Sequence, residues 1–511
     1  MSDGLTANGS ARTEEFVNPL FECEICGGTF DVGDVWYVEG QIICKACHAK
    51  ASGPTDVATT PDSPAKVAGT TPKPARQLQL GSLLLRITCP HCWHRFTSDQ
   101  ILWISEHTEL LGDPVLGSEA ASRFLPTRFT VAGGAIDARG MECQVLACPK
   151  CHLVVPRSLT ETEPLFISIV GVPASGKSYF LTAMTWQARR RMPEQFAVIF
   201  NDADTVSNRI LNEYEELLFL QPDASRVVAI RKTEVHGVVL YDQIRLGEQI
   251  VSLPRPFLFS FKPAPGHPNF GQATKVSRVL CMYDNAGEAF DPGEDSSTSP
   301  VTQHLSKSRV LMFLFDPTQD ARIRAKCREF SSDPQLDGRA RRQETILLEM
   351  VSRIRRYVGL ASQQRYDRPL IVIVPKADVW GRIIDLDITE EPLIPSGGPA
   401  GKPGVVDLAK VESISARVRN FLFQFAPEFV MAAEDFCQNV IYIPVSALGH
   451  SPMKQDGQEG LLVRPADIRP MWVTVPMLYM FAKWSTGLIG GSPPPVYGPV
   501  TTAGVASVAA R

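Results

Sequence analysis

Gly171-Val172-Pro173-Ala174-Ser175-Gly176-Lys177-Ser178 spells G-x-x-x-x-G-K-S, a spacing suited to a row of phosphates. A triphosphate carries dense negative charge. A loop that holds one needs inward-pointing backbone N–H groups, glycines for close approach and a helix N-terminus behind it. In that chemistry Lys177 reaches the β- and γ-phosphates and the Ser178 hydroxyl ligates Mg²⁺. Gly171, Ala174, Ser175, Gly176 and Tyr179 complete the expected nucleotide contacts. The apolar run 165–170 before the loop and the amphipathic segment from Tyr179 after it supply the strand and helix this chemistry requires.

Two later stretches extend the site. The apolar run 279–283 ends in Asp284-Asn285-Ala286-Gly287, a D-x-x-G. Asp284 can hold the Mg²⁺ through water, and the Gly287 N–H can bond a γ-phosphate and so sense it. Lys177, Asp284 and Gly287 are thus the expected catalytic groups. The apolar run 370–374 leads into Pro375-Lys376-Ala377-Asp378, where the base would be chosen. A carboxylate there accepts from both N1–H and the 2-amino group of guanine. Adenine offers neither donor, and an unpaired buried acceptor costs about 1–3 kcal/mol. The run 440–443 leads into Ser446-Ala447-Leu448, whose backbone can bond the guanine O6. Asp378, Ser446 and Ala447 are the expected base contacts.

Cysteines form a second constellation. Eight of the 12 fall into four C-x-x-C pairs, a pattern of metal binding rather than of disulfides. Cys23, Cys26, Cys44 and Cys47 have the spacing that sets four thiolates round one Zn²⁺; a redox dithiol pair is the competing reading. A unit of some thirty residues otherwise lacks a core. The run Trp36-Tyr37-Val38 between the pairs predicts a small hairpin. Cys89-Pro90-His91-Cys92 and Cys148-Pro149-Lys150-Cys151 repeat a C-P-x-C knuckle across 55 residues, which predicts one shared second zinc. His91, His94, His152 and Cys143 are alternative ligands, each read rather as a surface residue or a neighbour of the site. Four thiolates leave no open position for water, which excludes metal catalysis at either site. Cys281, Cys327, Cys437 and Cys143 read as buried small hydrophobes.

The elements that must position these groups follow from pattern. Residues 1–15 read as disordered, 16–50 as the first zinc module and 51–77, rich in Ala, Thr and Pro without an aromatic, as a disordered linker. Residues 78–157 read as a zinc ribbon with an insertion, 158–484 as the nucleotide domain and 485–511, with its Gly-Gly-Ser-Pro-Pro-Pro run, as a disordered tail. From residue 165 buried-strand runs recur at 165–170, 256–261, 279–283, 310–315, 370–374 and 440–443. Helical periods lie between them. One opens at Phe180 and is expected to end at Pro193. Another spans 340–358, with Arg341, Arg342, Arg353 and Arg355 opposite its apolar stripe; further helices cover 411–422 and 476–484. The alternation predicts an α/β fold, a mostly parallel sheet with helices on both faces. No internal repeat is evident.

At 511 residues the chain divides into several units. Its 51 Lys and Arg against 55 Asp and Glu give no global pull toward nucleic acid or acidic membrane, so any polyanion contact must be local. Within the zinc modules only His94-Arg95-Phe96 interleaves basic and aromatic residues as a nucleic-acid surface would. No signal peptide or membrane-spanning run is seen, and a cytoplasmic location is expected.

In order and context the four motifs resemble those of Ras-like, TRAFAC-type P-loop GTPases: G-x-x-x-x-G-K-S, D-x-x-G, N/T-K-x-D and S-A-K. The resemblance covers roughly residues 164–484 and implies a P-loop NTPase fold, GTP and GDP as ligands, a guanine contact by Lys376 beside Asp378 and Ala447, Mg²⁺ and GTP hydrolysis. Zinc ribbons ahead of a divergent GTPase domain are similar to bacterial double-GTPase-type proteins, which implies a protein partner, a second GTPase among the candidates. Three residues depart from the pattern. Pro375 stands in place of Asn or Thr, so no side chain there ties the base loop to the phosphate loop. Glu288 stands where many relatives carry the water-orienting Gln. The 107 residues from Lys177 to Asp284 leave the switch threonine open among Thr205, Thr233 and Thr274, and an arginine finger open between residues such as Arg209 and Arg226. A zinc-ribbon scaffold that binds nucleotide with little turnover, and an ATPase, are the competing functional readings.

Overall fold

The computed structural model describes residues 83–230, 241–285, 290, 303–395, 403–454, 461–485 and 487–492, and the backbone of four short strands between residues 20 and 44. The chain divides into two compact units, Met1–Leu78 and Gln79–Arg511. In the first, Leu20–Glu22 pairs antiparallel with Thr29–Asp31, and Val35–Val38 with Gln41–Cys44; the second pair is the hairpin expected round Trp36.

The second unit is built on a seven-stranded sheet: β1 Pro164–Gly171, β2 Val198–Asp202, β3 Phe257–Pro263, β4 Arg278–Asp284, β5 Val310–Leu314, β6 Leu370–Val374 and β7 Val440–Pro444, in the order β2-β3-β4-β1-β5-β6-β7. The four pairings from β4 to β7 are parallel, and β2-β3 and β3-β4 are antiparallel. The central strands are apolar on both sides, as a doubly covered sheet requires. β2 is an edge strand with Val198 and Phe200 buried while Ile199 and Asn201 face solvent. The sequence reading missed it, since Ile199 breaks the polar alternation that would mark a half-exposed strand.

Helix α1, Lys177–Phe196, covers one face. Its Arg189 guanidinium lies over the rings of Phe200 and Phe259 at 5.8 and 6.0 Å. On the same side as Phe259, α7 (Val475–Trp484) sets Phe481 4.7 Å from Phe261. The opposite face differs from the expected all-helical cover. There α3 (Gln343–Val358) and α6 (Pro427–Phe436) cover the β5 side, with Phe313 and Phe315 against Phe429. Over β3 and β4 the cover is instead the ribbon, together with the hairpin Tyr241–Leu246 and Gln249–Pro254. Ile87, Trp93, Trp103, Ile244, Leu253, Leu258, Val279, Cys281 and Tyr283 share one core.

Several local expectations are corrected. Pro193 does not end α1; the helix runs to Phe196, held by buried Met192 and Phe196, and stops where Ala197 turns left-handed at φ 52° with its N–H on the Met192 carbonyl. A proline so near the C-terminus forfeits one hydrogen bond, which burial of the last turn offsets. Arg341 and Arg342 precede α3 rather than lying in it, and Arg353 is 2% exposed, stacked over Phe290 at 5.1 Å and bonded to Glu349 at 2.7 Å. The expected disordered tail begins with ordered chain: Gly490–Gly491 pairs parallel with Val405–Val406, and Leu488 and Ile489 are buried. Cys143, Cys281, Cys327 and Cys437 are buried as expected. Among the described residues no helix is long and apolar enough to cross a membrane.

Candidate functional site

β1 delivers the chain to the phosphate loop at Gly171. A Cβ there would lie 2.9 Å from the Leu314 Cβ on neighbouring β5, so only glycine lets the strands approach. Ala174 (φ 62°) and Gly176 (φ 87°) are left-handed, which curls the backbone before α1 begins at Lys177. The partial positive charge of a 20-residue helix therefore points into the loop.

Because β4 pairs parallel with β1, Ile169 stands opposite Asp284, and the end of β4 comes beside the loop. Lys177 Nζ lies 3.0 Å from Asp284 Oδ1 and also donates to the Asn285 carbonyl. Burial raises the Asp284 carboxyl above its ordinary range, and the Lys177 charge draws it back. Ser178 and Asp284, the two expected magnesium ligands, line one small recess with Tyr214 and Phe257. Gly287, Glu288 and Thr233 lie outside the described residues. Thr274 precedes β4 and lines a cleft with Pro164 and Arg278, which open β1 and β4. It stands at the opposite end of the sheet from the Gly171–Ser178 loop. Arg209 is a solvated residue facing Glu213 at 3.8 Å.

β6 and β7 supply the second half. Lys376 is left-handed (φ 59°) and caps the short helix Ala377–Trp380. Its Cε lies 3.9 Å from where a Gly176 Cβ would stand, so the stem runs across the phosphate loop. The ammonium reaches Asp316 Oδ2 at 2.6 Å and Thr318 Oγ1 at 3.1 Å. Asp378 accepts from the Ser446 hydroxyl at 2.5 Å, and that hydroxyl accepts from the Gly449 N–H at 2.8 Å. Burial pushes the Asp378 carboxyl up, and the Ser446 bond opposes the rise. Ser175, Gly176, Tyr179, Lys376, Asp378, Ser446 and Ala447 all line one narrow cleft of about 60 Å³ that opens to solvent. Gly171 sits behind it on β1, and Ala174 lines the neighbouring cleft with Gln319 and Arg341.

Asp316 is the residue that sequence reasoning missed. It is fully buried after β5, caps the turn Pro317–Gln319, and accepts from Thr318 N at 2.9 Å and Gln319 Nε2 at 3.2 Å. Gln319 also donates to the Pro173 carbonyl at 3.0 Å. The tie between base loop and phosphate loop that Pro375 cannot make is thus made through Lys376, Asp316 and Gln319. An Asp-Pro pair at the end of an apolar run is an N-cap signal that could have flagged it.

On the ribbon, the Sγ atoms of Cys89, Cys92, Cys148 and Cys151 all lie within 4.8 Å of one another. Cys89 to Cys151 is 3.6 Å and Cys92 to Cys148 is 3.7 Å. A tetrahedron of Zn–S bonds has edges of about 3.8 Å, so the donor set fits one zinc ion. The two knuckles are alike: the His91 and Lys150 N–H groups approach Cys89 and Cys148 sulfur at 3.4 Å, and Trp93 and His152 are left-handed. The alternative ligands are engaged elsewhere. His91 Nε2 contacts the Val154 carbonyl at 3.1 Å, and His152 Nδ1 contacts Asp113 at 2.7 Å. The set Cys23, Cys26, Cys44 and Cys47 lies outside the described residues apart from the backbone of Cys44.

The first knuckle touches the seven-stranded sheet directly. The Tyr283 hydroxyl donates to the Pro90 carbonyl at 2.5 Å and accepts from Trp93 Nε1 at 2.9 Å. Tyr283 immediately precedes Asp284, and its ring stacks on His304 at 4.7 Å. His304 in turn reaches Asn285 Oδ1 at 2.7 Å and the Ser168 hydroxyl at 2.6 Å.

The chain is therefore an α/β protein with a large, mostly parallel sheet, a loop and cleft at the carboxyl ends of its strands, and a four-cysteine cluster able to hold a metal ion. No family model matches it. It is similar to a protein of Mycolicibacterium smegmatis, provisionally named an ESX-1 scaffolding and assembly protein, SaeC, at 22% identity over 395 residues, covering 71% of this chain and 92% of that one. Two solved structures are similar at a TM-score of 0.21. Era in complex with MgGDPNP and a segment of 16S ribosomal RNA is 12% identical, over 59% of this chain and 62% of that one. The Saccharomyces cerevisiae Ski7 GTPase-like domain bound to GTP is 11% identical, over 60% of this chain and 50% of that one. Each match spans less than two thirds of the solved chain.

Proposed function

We propose that this chain is a GTP-binding switch in which a zinc ribbon, packed on the sheet, meets the strand that carries the D-x-x-G. The observation that carries the reading is the shared cleft: the phosphate loop, the Lys376–Asp378 turn and the Ser446–Ala447 turn come from three separate strands and line one space. Gly176, Lys177 and Ser178 would hold the phosphates, with Gly171, Ala174, Ser175 and Tyr179 shaping the cradle. Asp378, held by Ser446, would accept from guanine, with Lys376 and Ala447 beside the base. Ser178 and Asp284 would hold Mg²⁺, which supplies charge neutralisation at the phosphates. Gly287 is the proposed γ-phosphate sensor, and slow or partner-stimulated hydrolysis is the proposed turnover. Two zinc ions per chain are proposed, one at Cys23, Cys26, Cys44 and Cys47 and one at Cys89, Cys92, Cys148 and Cys151.

Calorimetric titration with GTP, GDP and ATP in the presence of Mg²⁺, alongside phosphate release, tests this. Guanine nucleotides should bind with clear preference over ATP, and Lys177→Ala should abolish binding. Equal binding of ATP would give the site to an ATPase and overturn the guanine reading. The similarity to a protein named for scaffolding and assembly favours a second reading, a scaffold that the nucleotide stabilises. Guanine binding without phosphate release, alone or with a partner protein, would decide for it.

A further inference from the structure

The opposite end of the sheet carries a second concave surface, of about 1030 Å³. Its floor is the starting ends of the parallel strands, with Pro164, Leu165 and Phe166 of β1, Arg278 of β4, and Arg309 and Arg368 just before β5 and β6. One wall is the ribbon, through Arg86, Thr88, Arg95 and the apolar Leu83 and Leu85. The other is the end of α7, through Lys483 and Trp484.

Its charge is opposite to that of the chain, whose net is -4. Among the described residues, none of Arg86, Arg95, Arg278, Lys307, Arg309 and Arg368 has a carboxylate within 4.0 Å. Lys483 is spoken for by Glu412 at 2.9 Å. Only Glu161 and Glu163 bring negative charge to the lining. Three of the guanidinium groups are pinned by backbone carbonyls. Arg278 donates to Lys275 and Ser277, both at 2.7 Å, Arg309 to Trp484 at 3.1 Å, and Arg368 to Ser306 at 2.9 Å. A guanidinium held by one edge keeps its other N–H groups for an incoming carboxylate and loses little side-chain freedom on binding. Beside these charges Leu85 is 89% and Leu83 52% exposed.

We propose that this cleft docks an acidic segment of a partner protein, one with an aliphatic or aromatic residue among its carboxylates. Unpaired, fixed cations ask for negative charge, and the exposed leucines ask for an apolar side chain beside it. A phosphate backbone would satisfy only the first requirement. The chain's own linker is no charge complement, since residues 51–77 carry Lys66, Lys73 and Arg76 against Asp56 and Asp62. The proposal is independent of the nucleotide reading, because the cleft lies at the other end of the strands.

Fluorescence anisotropy of the full chain with a fluorescein-labelled peptide of three Glu-Glu-Leu repeats tests it. Labelled oligothymidylate of equal charge and phosphatidylserine vesicles serve as the other arms. The peptide should bind in a salt-sensitive manner, more tightly than oligothymidylate or vesicles. Arg95→Glu with Lys307→Glu, both exposed and without side-chain hydrogen bonds in the fold, should weaken it roughly tenfold or more. Arg190→Glu with Lys326→Glu, exposed on α1 and on the helix Ala321–Cys327, should leave it unchanged, and GTP affinity should be the same in all forms. No peptide binding, equal loss in both pairs of variants, or tighter binding of oligothymidylate or vesicles would overturn the proposal.

Discussion

Tyr283→Phe removes one oxygen and nothing else, and the structure fixes what that oxygen does. The hydroxyl is buried, donates to the Pro90 carbonyl and accepts from the Trp93 indole N–H. Pro90 and Trp93 are themselves buried. The variant keeps the ring and its stack on His304, but leaves a carbonyl and an indole N–H unpaired away from water. Each such group costs about 1–3 kcal/mol, and partial relaxation places the sum at about 2–4 kcal/mol. If residues 79–511 unfold together, an entropy near 2.1 cal/mol/K per residue gives a melting point lower by about 2–4 °C. If the knuckle opens locally instead, the same energy raises the open population from about 30-fold to several hundred-fold. Zinc release to a chromogenic chelator would then accelerate by that factor. Calorimetry and chelator kinetics on the same protein separate the two outcomes. A double-mutant cycle with Trp93→Phe should show coupling of about 1 kcal/mol, because the second change finds its partner already gone. An unchanged melting point with unchanged zinc release, or strict additivity in the cycle, would refute the direct link between knuckle and strand.

Other perturbations probe the cleft and its supports. Asp378→Asn should lower GTP affinity and admit xanthosine triphosphate, since an amide N–H can meet the 2-oxo group of xanthine where a carboxylate cannot; competition binding reads both changes. The same substitution should flatten a pH dependence. Burial raises the folded Asp378 pKa above the unfolded value, so its contribution to stability is present at low pH and lost as pH rises through the folded value. The nucleotide-free variant should therefore gain on the wild type in melting temperature as pH rises above the ordinary carboxylate range. Asp316→Ala strands Lys376 in a largely buried setting and should destabilise by about 3–5 kcal/mol, seen by chemical denaturation, and should weaken GTP and GDP together. Cys148→Ser should reduce the zinc content by one ion, measured by mass spectrometry of the native protein.

The sheet was legible wherever burial is two-sided. Runs such as 370–374 and 440–443 hold apolar residues on both faces, and local pattern alone marks them. Legibility failed where one residue's fate was set by distant chain. Arg353 looks like a solvated helix residue until Phe290 and the neighbouring elements close over it. Pro193 looks like a stop until the last turn is seen to bury Met192 and Phe196. Glycines 490 and 491 look like tail until Val405 and Val406 offer them a ladder. The site divides in the same way. Asp378 and Ser446 announce themselves by motif, whereas Asp316 acts through Lys376, 60 residues away, and locally the Asp316-Pro317 pair marks only a capped turn.

The ribbon's place in the fold illustrates why such contacts escape a sequence. Trp93 and Tyr283 are 190 residues apart, each an ordinary aromatic in its own neighbourhood. Their meeting follows from a need of the sheet. The face of β3 and β4 that carries Leu258, Val279, Cys281 and Tyr283 has to be covered, and the ribbon supplies Ile87, Trp93 and Trp103 to cover it. A module of short strands holds such a position only if its loops are rigid, and four thiolates round one metal ion would make them so. The consequence is an arrangement in which zinc, through Pro90 and Trp93, would set the position of Tyr283. Tyr283 is the covalent neighbour of Asp284, which faces Lys177 at 3.0 Å. Any displacement of Asp284 that accompanies ligand binding would therefore be felt at the knuckle first, because the hydroxyl has two buried partners and no slack to accommodate a shift.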